Sequence, residues 1–308
     1  MTSQDQAGPA PGSVVVGVDG SPGAARALAW AVDKAALLGP VAPVTAYHVP
    51  SAIEALARRG VGPDTDLYRA AAQAALDEAV EAVDAIDPTL AERSMVVESR
   101  PGPALCRAAA EASLLVVGTR GRGTLVAGLL GSVSAHCARH SPAPVAVIPE
   151  THPVDRPLHR VVVGVDGSDS ARLALRWAFD RTDPDGLVVA VGALPMWGYA
   201  TSGEGGWTDR ADRRLHHLVE EAVVEACRGL GDGPDVEVRA DLRDARVALR
   251  DVAGPPPDLL VVGARGLSEV PFLLLGSVSS ALVHHPVVPT VIVRADTDTD
   301  TDTESPVA

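Results

Sequence analysis

Lysine is nearly missing from this chain. Lys34 stands alone among 308 residues, and 40 acidic side chains against 26 basic ones give a formal charge of −14. A sequence-independent grip on nucleic acid needs clustered cations that release counterions, so DNA and RNA are not expected partners. Cysteine is scarce too. Cys106, Cys137 and Cys227 lie far apart with no C-x-x-C pair, which fits small core residues in a reducing, cytoplasmic setting better than disulfides or metal ligands. No apolar run approaches the roughly 18 residues that cross a bilayer, so no membrane partner is expected. Residues 1–12 lack an apolar signal core and read as a flexible lead-in. Three catalytic signatures are also missing: the G-x-x-x-x-G-K-[ST] phosphate loop, the G-x-S-x-G nucleophile turn and the H-E-x-x-H metal helix.

What the chain does contain is repetition. Val14-Val15-Val16-Gly17-Val18-Asp19-Gly20-Ser21 recurs residue for residue as Val161-Val162-Val163-Gly164-Val165-Asp166-Gly167-Ser168, an offset of 161 − 14 = 147. A second landmark, Gly118-Thr119-Arg120-Gly121-Arg122-Gly123 followed by Gly131-Ser132-Val133-Ser134, recurs as Gly263-Ala264-Arg265-Gly266 followed by Gly276-Ser277-Val278-Ser279. Here the offset is 263 − 118 = 145, and both copies read glycine, two residues, glycine, nine residues, Gly-Ser. A chain of this length has room for two domains with separate cores, so this is a duplicated domain rather than a short solenoid repeat. The expected boundaries are 13–149 and 160–294. A connector at 150–159 is stiffened by Pro153 and Pro157, and an Asp-Thr tail at 295–308 cannot bury anything.

Each repeat alternates two periodicities. Val14–Val18, Leu114–Val117 and Val145–Ile148 are continuous apolar runs, the pattern of strands covered on both faces of a parallel sheet. Between them Ala24, Ala27, Leu28 and Ala31, then Leu76, Ala79, Val80 and Val83, fall at helical spacing. The second repeat answers with Ala171, Ala174, Leu175 and Ala178, then Leu215, Leu218, Val219 and Ala222. Ser21-Pro22 sets a capping hydroxyl before a proline at the first helical position. The expected class is α/β: two tandem open five-stranded parallel sheets, order 3-2-1-4-5, with helices on both faces.

In such a sheet ligands sit beyond the carboxyl ends of strands where the order reverses, here between the first and fourth strands. The first strand ends in Asp19 (Asp166 in the second half), which would repel phosphate but can accept hydrogen bonds from ribose hydroxyls or an adenine amino group. The fourth ends in the glycine loop. Without Cβ atoms, Gly118, Gly121 and Gly123 let phosphate oxygens approach backbone N–H groups. Gly131-Ser132 opens the next helix, where free N–H groups and the dipole favour an anion, and Arg120 and Arg122 add charge. One wall accepts and the other donates, as a nucleotide requires.

Each half resembles a universal stress protein domain, and the whole resembles a tandem member of that family. The resemblance rests on the Val-Gly-Val-Asp-Gly-Ser start, the spaced glycine loop, and the endings His140-Ser141-Pro142-Ala143-Pro144-Val145 and His285-Pro286-Val287-Val288-Pro289-Thr290. It covers nearly everything from Ser13 to Arg294. It implies ATP held between the first and fourth strands, with Mg²⁺ as an accompanying ion. It also implies domains that pair through the last strand, within the chain or in a homodimer, and a regulatory role in stress adaptation with a protein partner. The candidate nucleotide-binding set is Gly17, Asp19, Gly118, Thr119, Arg120, Gly121, Arg122, Gly123, Gly131, Ser132 and Val133. Its second-half counterpart is Gly164, Asp166, Gly263, Ala264, Arg265, Gly266, Gly276, Ser277 and Val278. Two alternatives stay open: a slow ATPase or phosphotransferase, although neither loop offers a general base, and an interaction scaffold without nucleotide.

The halves differ. Leu267 replaces the second arginine, Glu269 adds a negative charge, Pro271-Phe272 stiffens the second loop, and Ala245-Arg246-Val247-Ala248 stands where the first half has Pro101-Gly102-Pro103-Ala104. The first site is therefore expected to bind ATP more tightly. His136 and His140 are four apart on a helix but lack a third ligand, and a dipole-facing role explains His140 better than metal. His216 and His217 read as solvent-facing. Trp197 and Trp207 flank a glycine-rich loop and read as packing residues before they read as a stacking lid.

Overall fold

The apolar runs become strands and the 3.6-residue periods become helices. The computed structural model describes residues 8–61, 64–86, 88, 93–121, 130–154, 157–195, 207–253, 259–267 and 274–295. The first half runs β1 (Val14–Gly17), α1 (Pro22–Asp33), α2 (Ala35–Leu38), β2 (Val41–Tyr47), α3 (Ser51–Ala57), α4 (Asp66–Asp84), β3 (Met95–Glu98), α5 (Pro101–Ala108), β4 (Leu114–Gly118), α6 (Ser132–His140) and β5 (Val145–Ile148). The second runs β6 (Arg160–Val165), α7 (Asp169–Phe179), β7 (Leu187–Ala193), α8 (Trp207–Ala226), β8 (Asp235–Asp241), α9 (Ala245–Val252), β9 (Leu259–Gly263), α10 (Ser277–His284) and β10 (Thr290–Val293). The short α2 and α3 are additions to the four-helix plan of each half.

Strand order within each half is 3-2-1-4-5, as expected, but the two sheets are not separate. They form one ten-stranded sheet, β3-β2-β1-β4-β5-β10-β9-β6-β7-β8. The seam is antiparallel, with Ala146 opposite Val291, while every other pairing is parallel. The reason is an edge problem. Val145–Ile148 and Thr290–Val293 are fully buried runs, and an open row of N–H and C=O groups along such a strand would be a template for aggregation. Pairing the last strands within the chain uses the surface expected for domain pairing. Pro43 sits inside β2, yet its missing N–H falls on the β3 side one residue before β3 begins opposite Val44.

Strand side chains alternate between two apolar layers. Val14 and Val16, with Val161 and Val163, pack under α1, α4, α7 and α8. Val15 and Val162 face the opposite layer of α5, α6, α9 and α10. Ser21 accepts from the N–H of Ala24 at 3.2 Å, and Ser168 does the same for Ala171, so both first helices begin as their sequences suggest. Cys106 and Cys137 are buried together in the second layer. A hydrogen bond to Cys106 and burial push the Cys137 thiol above its usual range.

The connector is anchored rather than loose. Leu158 is fully buried and joins the first apolar layer. Lys34, at the C-cap of α1, is buried, pairs with Asp33 and donates to the carbonyl of Val154 at 3.2 Å. The end of the N-terminal lead-in is tied down too: Gly12 donates to the carbonyl of Glu111 at 2.8 Å, and Ser13 is buried. The Asp-Thr tail lies outside the described residues. Replacing Leu158 by Ala removes a buried side chain from where the halves join. It should cost about 2–5 kcal/mol, read as a lower urea midpoint and melting temperature.

Candidate functional site

β1 and β4 are neighbours, and both point their carboxyl ends at one crevice. β1 stops at Gly17, where a Cβ would stand 2.8 Å from Leu105 Cδ1. Two residues later Asp19 accepts from the N–H of Ser21 through Oδ1 at 3.0 Å. Its other oxygen, Oδ2, occupies the place a side chain at Gly121 would need. The second half repeats the arrangement: Asp166 Oδ1 accepts from Ser168 N–H at 3.0 Å, and Oδ2 fills the place of a side chain at Gly266. There the carboxylate also accepts from the loop amide of Leu267 at 3.1 Å. Asp19 and Asp166 therefore face their glycine loops, and a loop amide is aimed at an anionic oxygen.

The loops are braced from behind. Ser134 donates its buried hydroxyl to the carbonyl of Gly118 at 2.6 Å, and Ser279 does so to Gly263 at 2.6 Å. Ser21 and Ser168, besides capping α1 and α7, reach the carbonyls of Arg120 at 3.4 Å and Arg265 at 3.3 Å. Thr119 and Ala264, read from sequence as part of the cradle, stand behind its wall. Both are buried; their N–H groups donate to Ile148 and Val293, and their carbonyls accept from Gly131 and Gly276. Arg120 lines the crevice but also reaches the Glu150 carboxylate at 3.9 Å.

The helices beyond the loops start open. Gly131 and Gly276 are the N-caps of α6 and α10, and neither helix has a side-chain cap, in contrast to α1 and α7. First-turn N–H groups there are available to water or an anion. Gly17, Asp19, Gly118, Arg120, Gly121, Gly131, Ser132 and Val133 line a first crevice of about 350 Å³. Gly164, Asp166, Gly263, Arg265, Gly266, Gly276, Ser277 and Val278 line a second of about 340 Å³. Arg122, Gly123, Trp197, Glu269, Pro271 and Phe272 lie outside the described residues, as does the Trp207 side chain.

This doubled geometry has known counterparts. Residues 12–149 and 157–294 each match the Universal stress protein family. The chain belongs to the universal stress protein family. Universal stress protein Rv2005c of Mycobacterium tuberculosis is 35% identical over 293 residues, covering 91% of this chain and 96% of its own. Universal stress protein Rv1996 of the same organism is 32% identical over 300 residues, covering 91% and 94%. Among solved structures, a universal stress protein from Archaeoglobus fulgidus shares the fold with a TM-score of 0.63 at 20% identity, over 92% of this chain and 98% of that one.

In this tandem universal stress protein the first crevice has further walls that sequence reasoning missed. Thr45, Tyr47, Tyr68 and Ala72, from β2 and α4, line it beyond the loop. They carry no repeated motif, so only the fold could bring them in. Ser134 and Ser279 had a signal, since both copies read Gly-Ser-Val-Ser. His136 and His140 stack ring on ring, 4.4 Å between centroids, and His136 lies against Gly102 of α5. Burial, His140 and Arg139 lower the His136 pKa, favouring the neutral ring. Among the described residues no group of three or more His, Cys, Asp or Glu is gathered for a metal. His216 and His217 lie on α8 with side chains 44% and 68% exposed.

Removing the Ser134 hydroxyl leaves the Gly118 carbonyl short of a partner at the root of the loop. Ser134→Ala should destabilise the protein by about 1–3 kcal/mol, seen as a lower melting temperature, with Ser279→Ala giving a loss of similar size.

Proposed function

We propose that this universal stress protein binds ATP in both crevices and serves as a nucleotide-responsive regulator rather than a catalyst. The observation that carries the reading is the pairing of carboxylate and bare glycine. In each half the strand-end aspartate stands where a loop side chain would be, and in the second half a loop amide already donates to its carboxylate. The loop can thus hold anionic oxygen at its backbone, which is what a phosphate chain requires. Asp19 and Asp166 exchange the loop for ribose hydroxyls when phosphate takes their place, and Ser132 and Ser277 offer hydroxyls at the open helix ends.

Mg²⁺ fits this scheme only as a companion of the nucleotide. Asp19 is the single carboxylate among the described residues lining the first crevice. Mg²⁺ commonly binds phosphate oxygens and water with one or two carboxylates, so the phosphates would supply most of its ligands. With that carboxylate committed to the ribose, no other carboxylate or histidine among the described residues lining the first crevice could serve as a base for hydrolysis. Regulation requires that ATP favour one arrangement of the loops or of the seam over another.

The first crevice should bind more tightly. The N-terminus of α9 is neutralised by Asp244, which caps Arg246 N–H, pairs with its guanidinium and titrates at about 2. The matching end of α5 follows Arg100 and has no side-chain cap, so its dipole adds to the field on an anion. ATP titration into Gly121→Asp and Gly266→Asp variants tests both points. The first substitution should abolish the tighter isotherm and the second the weaker one; equal losses would count against the asymmetry. Native mass spectrometry of the purified chain should find co-purified ATP. Rapid conversion to ADP would point to an enzyme, and an empty protein that ignores added ATP would point to a scaffold.

A further inference from the structure

Arg294 leaves the sheet directly after β10, at the seam between the two halves. Its guanidinium donates in two directions. Nη1 reaches the carbonyl of Leu274 at 2.9 Å, and Nη2 reaches the carbonyls of Ala138 at 3.1 Å and Arg139 at 2.7 Å. Leu274 lies two residues before Gly276, the N-cap of α10 at the rim of the second crevice. Ala138 and Arg139 belong to the last turn of α6, whose first residues, Ser132 and Val133, form the rim of the first crevice. The final carbonyls of a helix have no partner within it, and a cation there also meets the negative end of the dipole. One side chain therefore joins the exit of the second glycine loop to the helix that opens from the first.

The link has no mirror image. The offset that aligns β5 with β10, 293 − 148 = 145, places Pro149 opposite Arg294, and proline has no side-chain donor.

We propose that Arg294 is a positioning residue that couples the two crevices, so that a nucleotide in one alters the affinity of the other. The inference rests on the reading that both crevices take ATP. ATP seated against Ser277 and Gly276 fixes the segment that carries the Leu274 carbonyl. Arg294 transfers that ordering to the last turn of α6, a rigid helix about 13 Å long at 1.5 Å per residue. The far end of that helix presents its first-turn amides to the other phosphate chain. By linkage the effect is equal in both directions.

Calorimetric titration of ATP into the full-length chain tests this in wild-type, Arg294→Gln and Arg294→Lys proteins, each also carrying Gly121→Asp or Gly266→Asp to isolate one crevice. In the wild type, filling one crevice should change the affinity of the other by about fivefold. In Arg294→Gln that factor should fall to about one while each isolated crevice still binds, and Arg294→Lys should restore part of it. Melting temperatures confirm that each variant is folded. A coupling factor unchanged by Arg294→Gln overturns the inference, as does a uniform loss of both affinities with their ratio preserved, which marks a merely structural role. Two independent ATP sites in the wild type also sink it, while leaving the proposed function intact. A wild-type chain that binds no ATP removes both.

Discussion

Backbone meets backbone where α1 begins and β4 ends. A side chain on Gly118 would stand 2.5 Å from the carbonyl carbon and oxygen of Gly23, and one on Gly23 would stand 2.5 Å from the carbonyl oxygen of Arg120. That approach draws the start of α1 onto the root of the glycine loop. It lets the Ser21 hydroxyl serve two structures at once, as cap of α1 and as donor to Arg120. With α1 pinned there, the Asp19 carboxylate that precedes it lies against the loop, its Oδ2 at the place of a Gly121 side chain. The second half reaches the same result with Ser170, whose Cβ and carbonyl carbon leave 2.7 and 2.8 Å for a side chain on Gly263. The crevice, its facing carboxylate and the open helix beyond it all follow from this contact.

Much of that was legible in the residues because the constraint is on the backbone. A glycine that must stay bare leaves a mark that repetition makes visible, and the two copies of the loop mark Gly121 and Gly266 alike. Central strands were legible for a related reason: β1, β4 and β5 are covered on both faces, and a wholly apolar run records that. The outer strands were not. β3 and β8 lie at the two edges of the sheet, only partly buried, and their mixed residues resemble loop. The seam was half legible, since four apolar residues in β5 show that both faces are covered but not which strand lies alongside. Arg294 gave no functional signal because its acceptors are carbonyl oxygens, which every residue has.

The two halves also show how a duplicated core can change its residues without changing its cavity. Register places Thr45 and Gly192 at equivalent points of β2 and β7, since Val41 pairs with Val14 as Val188 pairs with Val161. The buried face of α4 (Ala72, Ala75, Leu76, Ala79, Val83) contains the spacing of the buried face of α8 (Leu215, Val219, Ala222, Ala226), which sets Ala72 opposite Leu215 in the alignment. The first half therefore has the larger residue on the strand and the smaller on the helix, and the second half reverses them. A Cβ on Gly192 would stand 2.5 Å from Val219 Cγ2 and 3.0 Å from Leu215 Cδ1, so a side chain there would require these two to shift. Such volume-conserving exchanges are the kind that packed interiors accept most readily.

Volume is kept, but chemistry is not. The crevices measure about 350 and 340 Å³, yet the first is lined beyond its loop by Thr45, Tyr47 and Tyr68, and at the equivalents of Thr45 and Ala72 the second half has a glycine and a leucine. Packing constrains the sum of sizes at such a pair and leaves free which partner carries a polar group. The glycine-loop ends have less freedom, because a side chain at Gly121 or Gly266 would meet the facing carboxylate. Divergence thus reaches the wall away from the glycine loop as well as the Leu267 position and the Asp244 cap, while the contact between aspartate and bare glycine is kept in both halves.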